Sequence, residues 1–371
     1  MVRLIVAGLL AAWQALGQSP PARQRETGNT PVFHAGAHAV EITFVATHKD
    51  GTTVPDLTPE DLRVFDEGKE QKIATFEKIT PAAPARSGSP VAGGGANVHA
   101  RRLSVLLLDA LNTEFSDQAY ARRAATAVLE QLQPDDAVAI FALTSRLLLL
   151  HDFTSDPASL SKLVRNFSGD ATAARESGPA GTSSYSAEFS YRDLLPPGGG
   201  IDRQFRQRQH ILDTLSAMKT IAGLLKPAPG RKSLIWISAG FPFMVAATGA
   251  ARANPLDTES FHDDVARTMR ALSAANVAIY PVDARGLSVS PKAYVNIEGM
   301  KEMAQETGGK AFYNSNGIAQ EVRSALDDSK DAYVLTFDPA NYKADKALHR
   351  LRLQTARPGV RLRYRPAYFA D

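Results

Sequence analysis

Residues 103–117 read LSVLLLDALNTEFSD, an apolar run that stops on Asp109 and meets the hydroxyl of Thr113 four places later. A continuous apolar segment with polar ends suits a strand covered on both faces, as in a parallel sheet. AVAIFAL (137–143), SLIWIS (233–238) and VAIYPVD (277–283) have the same character. Between them apolar residues return at helical spacing: Ala121, Ala124, Ala125, Val128, Leu129 and Leu132, then Ile211, Leu215, Met218, Ile221 and Leu225. LDTESFHDDVARTMRALSAAN predicts a third helix, and VNIEGMKEMAQETGG a fourth that Gly308 closes. Alternation of this kind predicts a doubly wound, mostly parallel α/β sheet over residues 101–330. RLLLLHDF (146–153) reads as an edge strand antiparallel to its predecessor, and the Gly/Ser/Pro-rich stretch 168–200 as a mobile insertion.

The flanks change period. Val40, Ile42 and Phe44 alternate with Glu41, Thr43 and Val45, and turn signals at KDGT (49–52) and DEGK (66–69) separate further short strands up to residue 80. At the other end, Leu351 and Leu353, then Leu362 and Tyr364, alternate with Arg350, Arg352, Arg361 and Arg363. Residues 37–80 and 331–371 are therefore expected to pair into one small antiparallel β-sandwich, with the α/β domain inserted in it. Residues 81–100, rich in Pro, Gly, Ala and Ser, read as a linker between the two.

The chain has 371 residues, 44% of them hydrophobic and 22% charged, with a net charge of +3 and no cysteine. This composition is that of a globular protein, and so small a charge excess does not suggest a nucleic-acid partner. Lacking cysteine, the chain has neither disulfides nor thiolate metal sites or thiol catalysis. Arg3, the apolar stretch Leu4–Leu16 and the small residues Ala15 and Gly17 have the layout of a secretory signal peptide, 1–17, cut before Gln18. A disordered lead, 18–36, would follow, and no later segment reads as transmembrane. The expectation is a secreted or periplasmic protein.

Motifs for enzymatic chemistry fail one by one. PGRKS (229–233) lacks the first glycine of a phosphate loop and precedes a strand instead of following one. SLSK (159–162) has none of the companion elements of the acyl-transfer enzymes. His34 and His38 have ligand spacing only if helical, and they lead into a strand. What remains is the strand ends, because ligands of open α/β sheets lie beyond the C-terminal edges where strand order reverses. Asp109 with Asn112 and Thr113, Ser238, and Asp283 end there, a set of hard oxygens suited to Mg²⁺, Mn²⁺ or Ca²⁺.

LSVLLLD, GRKSLIWIS with its Gly-Phe-Pro continuation, ANVAIYPVDARG and MAQETGGKAFYNSN together resemble a von Willebrand factor A domain. With LTPEDLRVFDEGKEQKIATF before them and YVLTFDP and RPGVRLRYRPAYF after them, nearly the whole chain past residue 17 resembles the acidobacterial-type VWFA-related secreted proteins. That resemblance implies a protein-binding, adhesion-like module with a Mg²⁺-dependent adhesion site. The family's Asp-x-Ser-x-Ser element is degenerate here: Asp109 and Thr113 match, and Leu111 replaces the first serine. Its Thr-Asp-Gly element reads Ser238-Ala239-Gly240, so an aspartate is missing. A rearranged metal site of Asp109, Thr113, Ser238 and Asp283 follows, with Asn112, Phe241, Phe243 and Arg285 as partner contacts and a protein as partner. Two rival readings differ in class. One is an envelope component binding anionic polymers through Arg350, Arg352, Arg361, Arg363 and Arg365. The other is a hydrolase with a metal-bound water between Asp109 and Asp283.

Overall fold

The structure is a computed structural model that describes residues 39–79, 102–167, 200–240, 255–287, 291–328, 330–339 and 347–370. All of these belong to one compact unit, Ala37–Asp371. The signal segment, the lead, the linker and nearly all of the 168–200 insertion lie outside the described residues.

The apolar runs form the five-stranded sheet that their composition predicts. It comprises β5 (Arg102–Asp109), β6 (Asp136–Leu143), β7 (Leu147–Thr154), β8 (Lys232–Ser238) and β9 (Val277–Asp283) in the order β7-β6-β5-β8-β9. β5, β6, β8 and β9 run parallel, and β7 is the antiparallel edge strand. Chain order reverses at β5, which places the ends of β5 and β8 side by side at the switch point.

Why these strands are apolar throughout is visible in their packing. Val105, Leu107, Leu234 and Trp236 face one layer, formed by the helices Gly200–Leu225 (α3), Pro255–Ala274 (α4) and Pro291–Thr307 (α5). Leu106, Leu108, Ile235 and Ile237 face the opposite layer, formed by Phe115–Leu129 (α1), Pro157–Asn166 (α2) and Ile318–Asp327 (α6). Successive residues of a strand point to opposite faces, so a sheet covered twice has no polar positions to spare.

The terminal segments form two antiparallel four-stranded sheets. β1 (Val40–Thr47) lies between β12 (Arg361–Tyr364) and β10 (Ala332–Phe337), and β10 also pairs with β4 (Ile73–Lys78). β11 (Leu348–Thr355) lies between β13 (Ala367–Phe369) and β2 (Leu62–Asp66), which pairs with β3 (Lys69–Gln71). Ile42, Phe44, Leu335, Val64, Leu351 and Leu353 fill the space between the sheets. The segments before and after the α/β part thus build one sandwich together.

Two expectations change. The alternation in β1 predicts a half-exposed strand, yet Thr43 and Val45 are buried as well as Ile42 and Phe44. The second face of β1 is covered by the α/β part, where Asn276 Nδ2 donates to Thr43 Oγ1 at 3.2 Å. The expected single basic face of arginines is also split. Arg350 and Arg352 belong to one sheet, Arg361 and Arg363 to the other. Arg363 is ion-paired with Asp328, and Arg365 donates to Ser273 and to the Glu41 carbonyl. These last two hold the sandwich to the α/β part instead of facing solvent.

Candidate functional site

The chain turns sharply after β5. Ala110 N and Leu111 N both donate to Leu143 O, at 2.8 and 3.0 Å, and Asp109 Oδ1 accepts from the backbone N–H groups of Leu111 and Asn112 at 3.1 and 3.0 Å. An aspartate closing a turn onto the backbone two and three residues ahead is a local habit of that side chain. The other oxygen, Oδ2, accepts from Asn112 Nδ2 at 2.8 Å, Trp236 Nε1 at 2.9 Å and Ser238 Oγ at 2.8 Å. Five donors therefore converge on one carboxylate that is 3% exposed. Burial pushes its pKa up, and the donors from Asn112, Ser238 and Trp236 pull it back.

The neighbouring groups are joined into the same web. Thr113 Oγ1 accepts from Ala239 N at 3.0 Å, tying the loop after β5 to the loop after β8. Ser238 Oγ, donating to Asp109, also accepts from Gly240 N at 3.2 Å. Asn112 Nδ2 reaches Thr214 Oγ1 on α3 at 2.9 Å. Leu111 packs its side chain against the α3 and α4 layer. The apolar group thus goes into the core and does not crowd the carboxylate.

Asp283 ends β9 opposite Ser238 in register. Its carboxylate is fully buried and held by one cation: Arg285 Nε donates to Oδ1 and Nη2 to Oδ2, both at 2.9 Å, while Arg285 N donates to Oδ1 at 3.0 Å. A bidentate guanidinium–carboxylate pair is among the stronger hydrogen-bonded arrangements of side chains. On the segments that follow β5 and β9, Phe115 is 59% and Leu287 66% exposed. Asp117 lies close enough to feel Arg285 and Asp283, and burial and Glu114 push its pKa up.

The structure thus joins Ser238 directly to Asp109, ties Thr113 to the same edge through Ala239 N, and sets Asp283 at the next strand end. Asn112 is engaged inside the cluster and Arg285 beside it; Phe241 and Phe243 lie outside the described residues. Sequence reasoning did not single out Trp236 and Thr214. The signal for Thr214 was a hydroxyl inside the apolar stripe Ile211, Leu215, Met218. Among the described residues no cluster of three or more His, Asp or Glu side chains has the arrangement of a metal site.

No protein-family model matches the chain, and no curated protein does. Solved structures similar to it include a von Willebrand factor type A protein from Catenulispora acidiphila, 11% identical over 73% of this chain and 66% of that one, with a TM-score of 0.36. The von Willebrand factor domain of the type V pili tip protein Mfa5 from Porphyromonas gingivalis is 11% identical over 61% and 94%, with a TM-score of 0.34. An aerotolerance-related membrane protein from Bacteroides fragilis, carrying multiple mutations to serine, is 11% identical over 61% and 98%, with a TM-score of 0.32. These are distant likenesses, and the α/β class with its doubly wound sheet is read from the chain's own strand order.

Proposed function

We propose that this chain is an exported, adhesion-like protein-interaction module of the A-domain kind, which meets a protein partner at the C-terminal edge of its parallel sheet. The observation that carries the reading is how the edge is closed. Ser238 and Trp236 donate to Asp109, Ala239 N donates to Thr113 and Arg285 donates to Asp283, while Phe115 and Leu287 stand exposed on the segments that follow β5 and β9. Apolar side chains around a fixed charged group are what a partner can anchor on. Export is supported by the N-terminal sequence pattern. Among the described residues no helix is long and apolar enough to cross a membrane.

The donor set around Asp109 and Asp283 does not fit Mg²⁺, Mn²⁺ or Ca²⁺. Such ions take oxygen ligands, and here N–H groups from Trp236, Asn112 and the backbone face one carboxylate and a guanidinium faces the other. We read Asp109 as a latch between the ends of β5 and β8, and Arg285 as the cation at this edge. Hydrolysis through a metal-bound water loses its support for the same reason, and the division of the arginines between two sheets removes support from a single polymer-binding face.

Titration calorimetry of Mg²⁺ and Mn²⁺ into the protein is expected to give no heat, and saturable heat that disappears in Asp109→Ala would sink the latch reading. Asp109→Ala is expected to cost about 3–5 kcal/mol in urea unfolding, because it orphans several buried donors. For the interaction surface, a partner captured in chelator by the wild type should be lost by Phe115→Asp and by Leu287→Asp, both at exposed positions, at unchanged melting temperature. Capture that both variants retain would place the interface elsewhere.

A further inference from the structure

At the seam between sandwich and α/β part, the buried Lys232 and the half-buried Arg231 and Arg365 have no carboxylate within ion-pair distance among the described residues. Arg231 Nη2 donates to Tyr280 Oη at 3.3 Å and to Gly308 O at 2.5 Å, while its Nε is shut off from solvent and has no partner. Arg365 donates from Nη1 to Ser273 O and Oγ at 2.9 and 2.7 Å, and from Nη2 to Glu41 O at 3.0 Å. Lys232 Nζ, on a residue 2% exposed, reaches only Ala228 O at 2.6 Å. Every one of these acceptors is neutral. Asp328, which accepts from Tyr280, is already ion-paired with Arg363.

Arginine does not deprotonate in a protein, so its buried charge needs compensation. Burial pushes both Arg365 and Lys232 below their usual pKa; Glu41 offsets each of them in part, and Arg231 adds repulsion at Arg365. Arg231 and Arg365 line one small cavity with Thr43, Ser273 and Asn276, and Glu306 lines it from an exposed position. About 10 Å³ of it is open to the centre of a water-sized sphere, which is space for a single water or a small ion.

We propose that this cavity binds one small monovalent anion, chloride in the usual solvent, held between the guanidinium groups of Arg231 and Arg365, and that the anion fastens the sandwich to the α/β part. The site is separate from the sheet edge described above. Asp328, Glu41 and Glu306 are the acidic groups near it, and Glu306 opposes the anion.

The test is thermal unfolding of the full chain at fixed ionic strength, with chloride exchanged stepwise for gluconate, which is too large for the cavity. The melting temperature should rise with chloride, by about 5 °C once it reaches roughly a hundred times the dissociation constant. The rise should occur at lower chloride in Glu306→Gln, vanish in Arg231→Met, and persist in the exposed-site control Arg123→Gln on α1. Wild-type crystals grown in bromide should show an anomalous peak between Arg231 and Arg365, which keeps the test open if Arg231→Met does not fold. A melting temperature indifferent to chloride overturns the proposal. So does a chloride effect without a bromide peak, or one that survives in Arg231→Met.

Discussion

Tyr280 sits inside β9 with its hydroxyl donating to Asp328 Oδ2 at 2.6 Å. Burial, with the Asp328 carboxylate beside it, pushes its phenol up to about 12. An unfolded tyrosine loses its proton near pH 10. Between pH 10 and about 12 the unfolded chain is therefore deprotonated while the folded one keeps the proton. The stabilisation is complete below pH 10 and is lost as pH rises through the folded value, by about 3 kcal/mol. Urea unfolding at a series of alkaline pH values should show this loss in the wild type and a smaller one in Tyr280→Phe. Phenolate absorbance for Tyr280 at pH 10 would contradict it. At the same scale, Asp109, Ser238 and Asp283 were legible in the sequence because each ends an apolar run. Trp236 was not, because in SLIWIS it reads as one more core residue. Only the pairing of Leu107 with Trp236 on adjacent strands brings its indole N–H within reach of Asp109.

Among the elements, the end of α5 carries a strict steric demand. Gly308 has φ +73° and lies against the backbone of Tyr364 and Arg365, where a Cβ would sit 2.7 Å from Arg365 N. At Gly309 a Cβ would fall 1.8 Å from the Ile279 carbonyl oxygen. Gly309→Ala is expected to destabilise by about 3 kcal/mol or more, since backbone must move. Gly223, exposed on α3 with open space where its Cβ would go, offers the contrast. Gly223→Ala should stabilise by about 0.5–1 kcal/mol. Denaturant midpoints of the two variants check both signs, and equal effects would refute the steric account. The glycine stop at 308 is readable in GG after a helical run, but the reason for two glycines is not. It lies in strands β9 and β12, distant in sequence. Helix α6 is a different omission: Ile318, Val322, Ala325 and Leu326 have helical spacing and are all buried, so its signal was present and only short.

For the whole molecule, the sandwich depends on strands that the α/β part separates by more than two hundred residues. β1 has both its neighbours, β10 and β12, at the far end of the chain, and β2 pairs there with β11. A chain ending at residue 330 would leave β1 and β2 without those partners and strip Asp328 and Ser273 of Arg363 and Arg365. That truncation is expected to lose the sandwich and to lower the melting temperature of the α/β part by several degrees, as read by circular dichroism. An unchanged melting temperature would mean that the seam contributes nothing to stability. That the apolar runs become strands of a mostly parallel sheet covered twice, and that four helices lie between them, followed from the sequence alone, because periodicity and apolar runs are local records of which faces meet water; the short helices α2 and α6 did not. The state of the polar strand ends was decided only by tertiary structure. Whether Asp109 and Asp283 face an ion, a partner or each other's neighbours depends on Trp236, Thr214 and Arg285, and on the strand order that sets those donors around them.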